Sequence, residues 1–414
     1  QRQMCIRDRL GDMTRAVDAF EEALNADPSN LEVLVSLEQL HTENGDWNRF
    51  LDASERRLSL TTVPADRMLL LATRADILER EVGDIHGAVE SLEEILGMDP
   101  SNAHALGELE RVYREQERLP DLIELYERHA ATTSRTEEKV AILLRMAETY
   151  VIGLDDVSSG ITTYRRVLDL APTETTSLRR LAELYEEREE WSPAVEMLER
   201  SADAATKHED ALVFTFHAGE VLENHIGDLD GAATRYRSAL EREPGFAEAL
   251  RALARVYVAQ HNWTLAVDAI QRRIELIEEV SERADLMAHI GRIQLEQLGN
   301  PREAQRLFEE ATELEPENLT AAEPLAAMYV QQARWERARP LLKSLIGSSA
   351  ERDDATSAAL HFNLGLAAEN LSSYQEAVAN YEEALRFDGG HRLALVGIAR
   401  LYHKLGDLSR AAEA

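Results

Sequence analysis

Twelve histidines, one cysteine and 77 aspartates and glutamates are the residues of this chain whose types could do chemistry. A hydrolytic zinc centre needs histidines one helical turn apart, as in HExxH, so that both nitrogens reach one ion. Here the histidines are scattered, no HExxH occurs and no two lie four residues apart. His217 and His225, eight apart, do not make a ligand pair. Cys5 has no base partner in view, and a lone cysteine excludes a disulfide framework within the chain. Glycine-rich phosphate loops and the GxSxG elbow are absent. The carboxylate pairs Glu21-Glu22, Glu309-Glu310 and Glu382-Glu383 recur as on a solvated helix face. No catalytic residue, cofactor site or metal site is expected, and the chain reads as non-catalytic.

The elements that position these residues are repeated. Pro28, Pro100, Pro172, Pro244 and Pro316 are 72 residues apart, and Gly389 follows after one inserted residue. Tyr113, Tyr185, Tyr257, Tyr329 and Tyr402 share one phase, with His41 in the first copy. Trp47, Trp191, Trp263 and Trp335 share another, with Leu119 and Leu408 in the remaining copies. A fixed period of this kind is the mark of stacked repeats. Within a copy, Leu250, Leu253, Val256 and Tyr257 fall on one helical stripe. Four helices fit each period, the fourth running from Pro301 to Leu314 in the copy that begins at Gly245. Asn300-Pro301 with Glu303, and Ser134 with Glu137, read as capped helix starts. Gly11-Asp12, Gly45-Asp46, Gly83-Asp84, Gly227-Asp228 and Gly406-Asp407 read as tight turns, where glycine accepts positive φ.

These residues resemble the tetratricopeptide repeat, a helical hairpin of about 34 residues. Leu364-Gly365, Ala377, Tyr381, Ala384 and Asp388 carry the resemblance best, followed by Gly219, Ala232, Tyr236, Ala239 and Pro244. Gly291, Ala304, Phe308, Ala311 and Pro316 repeat it. Glu38 and Glu110 depart from it, being charged where a small residue is usual. The resemblance implies an all-α fold, a right-handed α-solenoid of antiparallel helical hairpins. Residues 11–414 are expected to form one array, in units 29–100, 101–172, 173–244, 245–316, 317–389 and a partial 390–414. Residues 1–10 are expected to be a non-native leader, because MCIRDR looks like translated sequencing-adapter sequence. The other reading of those residues is the end of a helix matching Thr73 to Glu81.

The resemblance further implies that the first helix of each hairpin lines a concave groove that holds a partner. Mapped by phase, its candidate contacts are Arg111, Arg114, Arg179, Arg251, Arg255, Arg292 and Arg400, with His403 and Lys404 beside them. Arginine grips carboxylates through two parallel bonds, which points to an acidic peptide segment as partner. The plainer account is pairing with the surrounding glutamates. Asp76, Glu148, Glu183, Glu220 and Glu223 fall on the same face, so the groove is mixed in charge.

A net charge of −32 argues against nucleic acid as a partner and favours a soluble monomer. No apolar run is long enough to span a membrane. One cysteine fits a reducing compartment such as the cytoplasm. The chain is expected to be a fragment of a longer protein, since neither end supplies a polar cap. Its expected function is that of a protein-interaction scaffold. The alternatives are the recruiting arm of an enzyme whose catalytic domain lies outside the chain, or a component of an envelope assembly complex.

Overall fold

The computed structural model describes residues 2–348 and 352–406. Among these residues there are helices and turns and no strand. The chain divides into two compact units, Gln1–Ala204 and Ala205–Ala414.

In the first unit, α1 (Arg2–Ala26) precedes five antiparallel hairpins. They are α2 (Leu31–Asn44) with α3 (Trp47–Leu60), and α4 (Pro64–Ile77) with α5 (Ile85–Met98). Next come α6 (Ala103–Glu115) with α7 (Leu119–Thr132), α8 (Thr136–Glu148) with α9 (Val157–Leu170), and α10 (Thr175–Glu187) with α11 (Trp191–Ala204). The second unit opens with α12 (His208–Val221) and α13 (Leu229–Arg242), then α14 (Ala247–Ala259) and α15 (Trp263–Ile274). It continues with α16 (Val280–Glu296) and α17 (Pro301–Leu314), then α18 (Leu319–Gln331) and α19 (Trp335–Gly347). The last described elements are α20 (Asp354–Asn370), α21 (Tyr374–Phe387) and α22 (Arg392–Leu405). Each unit is an α-solenoid, since each helix packs chiefly on its neighbours in the chain.

The turns explain the aromatic phases. In one class of loop a residue one or two positions past the first helix is left-handed: Gly45, Glu117, Glu189, His261, Ala333, Ser372 and Gly406, with φ between 52 and 80°. The next N–H then closes the helix end onto a carbonyl five residues back. It reaches His41, Tyr113, Tyr185, Tyr257 and Tyr329 in turn, at 2.8–2.9 Å. The following residue starts the second helix, and in four copies it is tryptophan. The tyrosines are therefore buried (Tyr113 4%, Tyr257 7% exposed), whereas the tryptophans stand half-buried at the first helical residue. In the other class of loop the left-handed residues are Gly83, Asp155, Gly227 and Gly299, and the next N–H reaches a carbonyl six residues back.

Close packing supplies the rest. A Cβ on Gly219, Gly291 or Gly365 would lie 2.6–2.7 Å from the ring of Tyr236, Phe308 or Tyr381 on the second helix of its own hairpin. Only glycine lets those fully buried rings seat. Three expected details differ. Gly11-Asp12 lies within α1, because a glycine costs a helix only about 1 kcal/mol. Ser134 does not cap α8, whose N-cap is Arg135, because the linker stays extended through that residue. Asn300 stands at the N-cap, but its amide donates to Gln294 (3.0 Å) and Glu303 turns to Arg306, so no capping bond forms. The side chains of Cys5, Ile6 and Leu10, and Leu408 and Asp407 with the helix expected after it, lie outside what is described.

Candidate functional site

Every candidate arginine sits on a first helix, and most are already engaged. Arg111 on α6 binds Glu79 and Glu108 (both 2.7 Å) and Glu115 (3.0 Å), and these bonds raise its pKa. Arg114 binds Glu110 at 3.0 Å, and Arg179 on α10 lies 3.8 Å from Glu183. Arg255 on α14 grips Glu223 through two bonds of 2.6 and 2.8 Å. Arg400 on α22 grips Glu369 in the same way, at 2.9 and 2.8 Å. Arg251 and Arg292, both exposed, form no ion pair or side-chain hydrogen bond among the described residues. They sit on neighbouring first helices of the second unit, α14 and α16. On α22, His403 is exposed and Lys404 lies 4.3 Å from the centre of the Tyr374 ring.

Arg255 and Arg400 belong to a recurring three-residue staple. Tyr236 donates to Glu223 at 2.7 Å, Tyr381 to Glu369 at 2.8 Å, and Tyr126 to Glu110 at 2.8 Å. An arginine of the next hairpin completes each: Arg255, Arg400 and, for Glu110, Arg145 at 2.7 Å. The carboxylates are largely buried (Glu223 9% exposed) at hairpin boundaries, while the arginines that cover them stay about half exposed. Burial and the bond to Glu110 push the Tyr126 hydroxyl up to about 12. Burial would raise Glu223, but bonds from Arg255 and Tyr236 outweigh it and hold the carboxyl below its ordinary value. These staples are missing from the phase map, although tyrosine and arginine stand 19 residues apart in all three, a spacing the sequence displays.

Of the carboxylate pairs expected on a solvated face, Glu21-Glu22 is exposed, but one member of each of the other two binds a tyrosine. Glu309 accepts Tyr329 at 2.7 Å and Glu382 accepts Tyr402 at 2.5 Å, because the buried tyrosine of the next hairpin needs an acceptor. Of the acidic candidates, Asp76 pairs with Arg80 and Glu183 with Arg180, Glu148 is exposed and Glu220 half-buried. Glu38, which departs from the repeat pattern, is buried against Arg57. Its other oxygen has no partner, and burial raises its pKa. His41 nearby is 3% exposed, and burial lowers its pKa. Among the described residues no group of three or more histidines, cysteines or carboxylates could hold a metal ion. No described helix is long and apolar enough to cross a membrane.

Family profiles described as tetratricopeptide repeat match residues 5–30, 105–141, 227–290, 295–360, 329–392 and 362–414, together more than half of the chain. A curated relative is cellulose synthase operon protein C of Pseudomonas fluorescens (strain SBW25). It is 28% identical over 156 residues, which are 36% of this chain and 12% of that protein. The chain thus spans about an eighth of that relative's length. Similar solved structures include YrrB, described as a TPR protein with an unusual peptide-binding site. It is 19% identical with a TM-score of 0.34, over 44% of this chain and 90% of that one. MamA is 20% identical with a TM-score of 0.32, over 41% and 94%.

Proposed function

The chain belongs to the tetratricopeptide repeat family, and from that premise we propose that it is a protein-interaction scaffold holding an acidic segment of a partner on first helices of its second unit. The observation behind this reading is the contrast among its arginines. Those paired to buried glutamates serve the array itself, whereas Arg251 and Arg292 are exposed cations without a carboxylate among the described residues. In so acidic a chain each has many carboxylates to compete for it, so two bare guanidinium groups on neighbouring first helices mark where a partner's carboxylates would bind. No residue here is assigned a catalytic role. A second reading makes the array a recruiting arm for a catalytic domain outside this chain. It is supported by the short share of the longer relative that the chain spans. The coding sequence on either side separates the two readings.

The test is fluorescence anisotropy with a labelled ten-residue Asp/Glu-rich peptide and a lysine-rich control. Arg251→Glu with Arg292→Glu should weaken the acidic probe at least about tenfold, since a hydrogen bond to a charged group contributes about 1.5–3 kcal/mol. Unchanged affinity in that variant, or no preference for the acidic probe, removes the reading.

A further inference from the structure

We propose that the first unit carries a second partner site of opposite preference. The groove between α2, the end of α3 and the start of α4 takes an aliphatic or aromatic side chain from a partner segment, and a lysine or arginine of that segment pairs with Glu32 or Asp66. The groove encloses about 400 Å³ and is lined by Leu31, Val35, Leu60 and Val63, with the two carboxylates at its rim. Leu31 is 43%, Val35 42% and Val63 52% exposed, so three aliphatic side chains share one patch of surface.

The repeat itself shows that folding does not require these side chains. Val35 shares its register with Gly107, Arg179, Arg251, Glu323 and, after the inserted residue, Val396, and Val63 shares its own with Arg135, Lys207 and Glu279. Four of the equivalent first helices form with a small or charged residue at the Val35 position, and three equivalent helix starts carry a charged residue at the Val63 position. The fold therefore does not require this pair of valines, and their joint presence has a use outside it. Charge decides the occupant. Glu32 and Asp66 form no ion pair among the described residues, and Arg57, the cation lining the groove, is held by the buried Glu38. The rim is therefore negative and uncompensated, which attracts a basic segment and repels an acidic one.

The proposal rests on the scaffold reading only in that the ligand is a protein segment. Its test uses the full chain and three labelled synthetic decapeptides: leucines flanked by lysines, the same with leucine replaced by serine, and leucines flanked by glutamates. The leucine–lysine probe should bind, and the serine probe should bind at least about tenfold more weakly. Val35→Glu with Val63→Glu should remove the difference while leaving helicity unchanged, since both sites are exposed. Glu32→Lys with Asp66→Lys should shift preference to the glutamate-flanked probe. Equal binding of the leucine and serine probes would reduce the effect to bulk charge and overturn the proposal. So would failure of the leucine–lysine probe to bind, or a dimer in light scattering that the valine variant dissociates, which would make the occupant a second copy. The scaffold reading stands or falls separately, on the acidic probe and Arg251/Arg292.

Discussion

Tyr236 has no exposed surface, yet its hydroxyl is satisfied, because Glu223 reaches it from the first helix of the same hairpin. The hydroxyl's own pKa is pushed well above the ordinary range, by burial first and the Glu223 carboxylate second. One carboxylate thus joins a hairpin's two helices and, through Arg255, the next hairpin. Tyr236→Phe should cost about 1.5–3 kcal/mol at neutral pH, the value of a bond to a charged acceptor. Glu223 has its folded pKa below the ordinary 4.5. Its contribution is therefore fully present above about 4.5 and fades as pH falls through the lower folded value. The penalty of Tyr236→Phe should shrink over the same window, measured as the difference in urea midpoint between variant and parent. A penalty that is constant with pH would mean that lost packing, not the charged bond, is responsible.

At the scale of the element, glycines of identical chemistry do opposite things. Gly107 lies in α6 with open space around its missing side chain, whereas a Cβ on Gly291 would press into Phe308 at 2.6 Å. Gly107→Ala should stabilise by about 0.5–1 kcal/mol, by lowering the entropy lost on helix formation. Gly291→Ala gains the same helix propensity but overpacks the hairpin, and should lose a net of about 1 kcal/mol or more, close to what an unwanted methyl costs a close-packed core. Hydrogen exchange of α6 and of α16 with α17 reports each change locally; equal effects at both sites would discount the ring contact. Trp263 belongs to this scale as well. It stands at the first residue of α15, half-buried against Ala254 and Val267, so its role is to seat the helix start rather than to fill the centre of the core.

For the whole molecule, charge is the strongest influence. With a formal net charge of −32, like charges repel across the surface even though many arginines are paired. Raising ionic strength from about 0.01 to 0.15 M shortens the screening length from about 30 to about 8 Å. The thermal midpoint should rise accordingly. A fall would show that the ion pairs at hairpin boundaries outweigh the repulsion. Because each hairpin touches mainly its neighbours, such losses are expected to spread within a unit rather than unfold the chain at one stroke.

The helical hairpin and its phases were legible in the sequence, because both follow from local rules. Apolar stripes, prolines that end helices and glycines that accept positive φ act within a few residues of themselves. Gly45, Gly83, Gly227 and Gly406 turn where their sequence context says, at φ of 69–80°. Glu117, Glu189, His261 and Ala333 are left-handed at the same register as Gly45, although their side chains gave no such signal. Pairs along one helix, Arg114 with Glu110 and Arg179 with Glu183, follow a four-residue spacing visible in the sequence, whereas the partners reached across hairpins were not legible. Whether Arg255 faces solvent or a glutamate 32 residues away depends on how one hairpin stacks on the next, and no local rule carries that information. The same holds for Arg251 one turn earlier, which the stacking leaves bare. Sequence determined which residues share a face and which pair along one helix; tertiary structure decided the rest, because the glutamates that claim Arg255 and Arg400 come from adjacent hairpins.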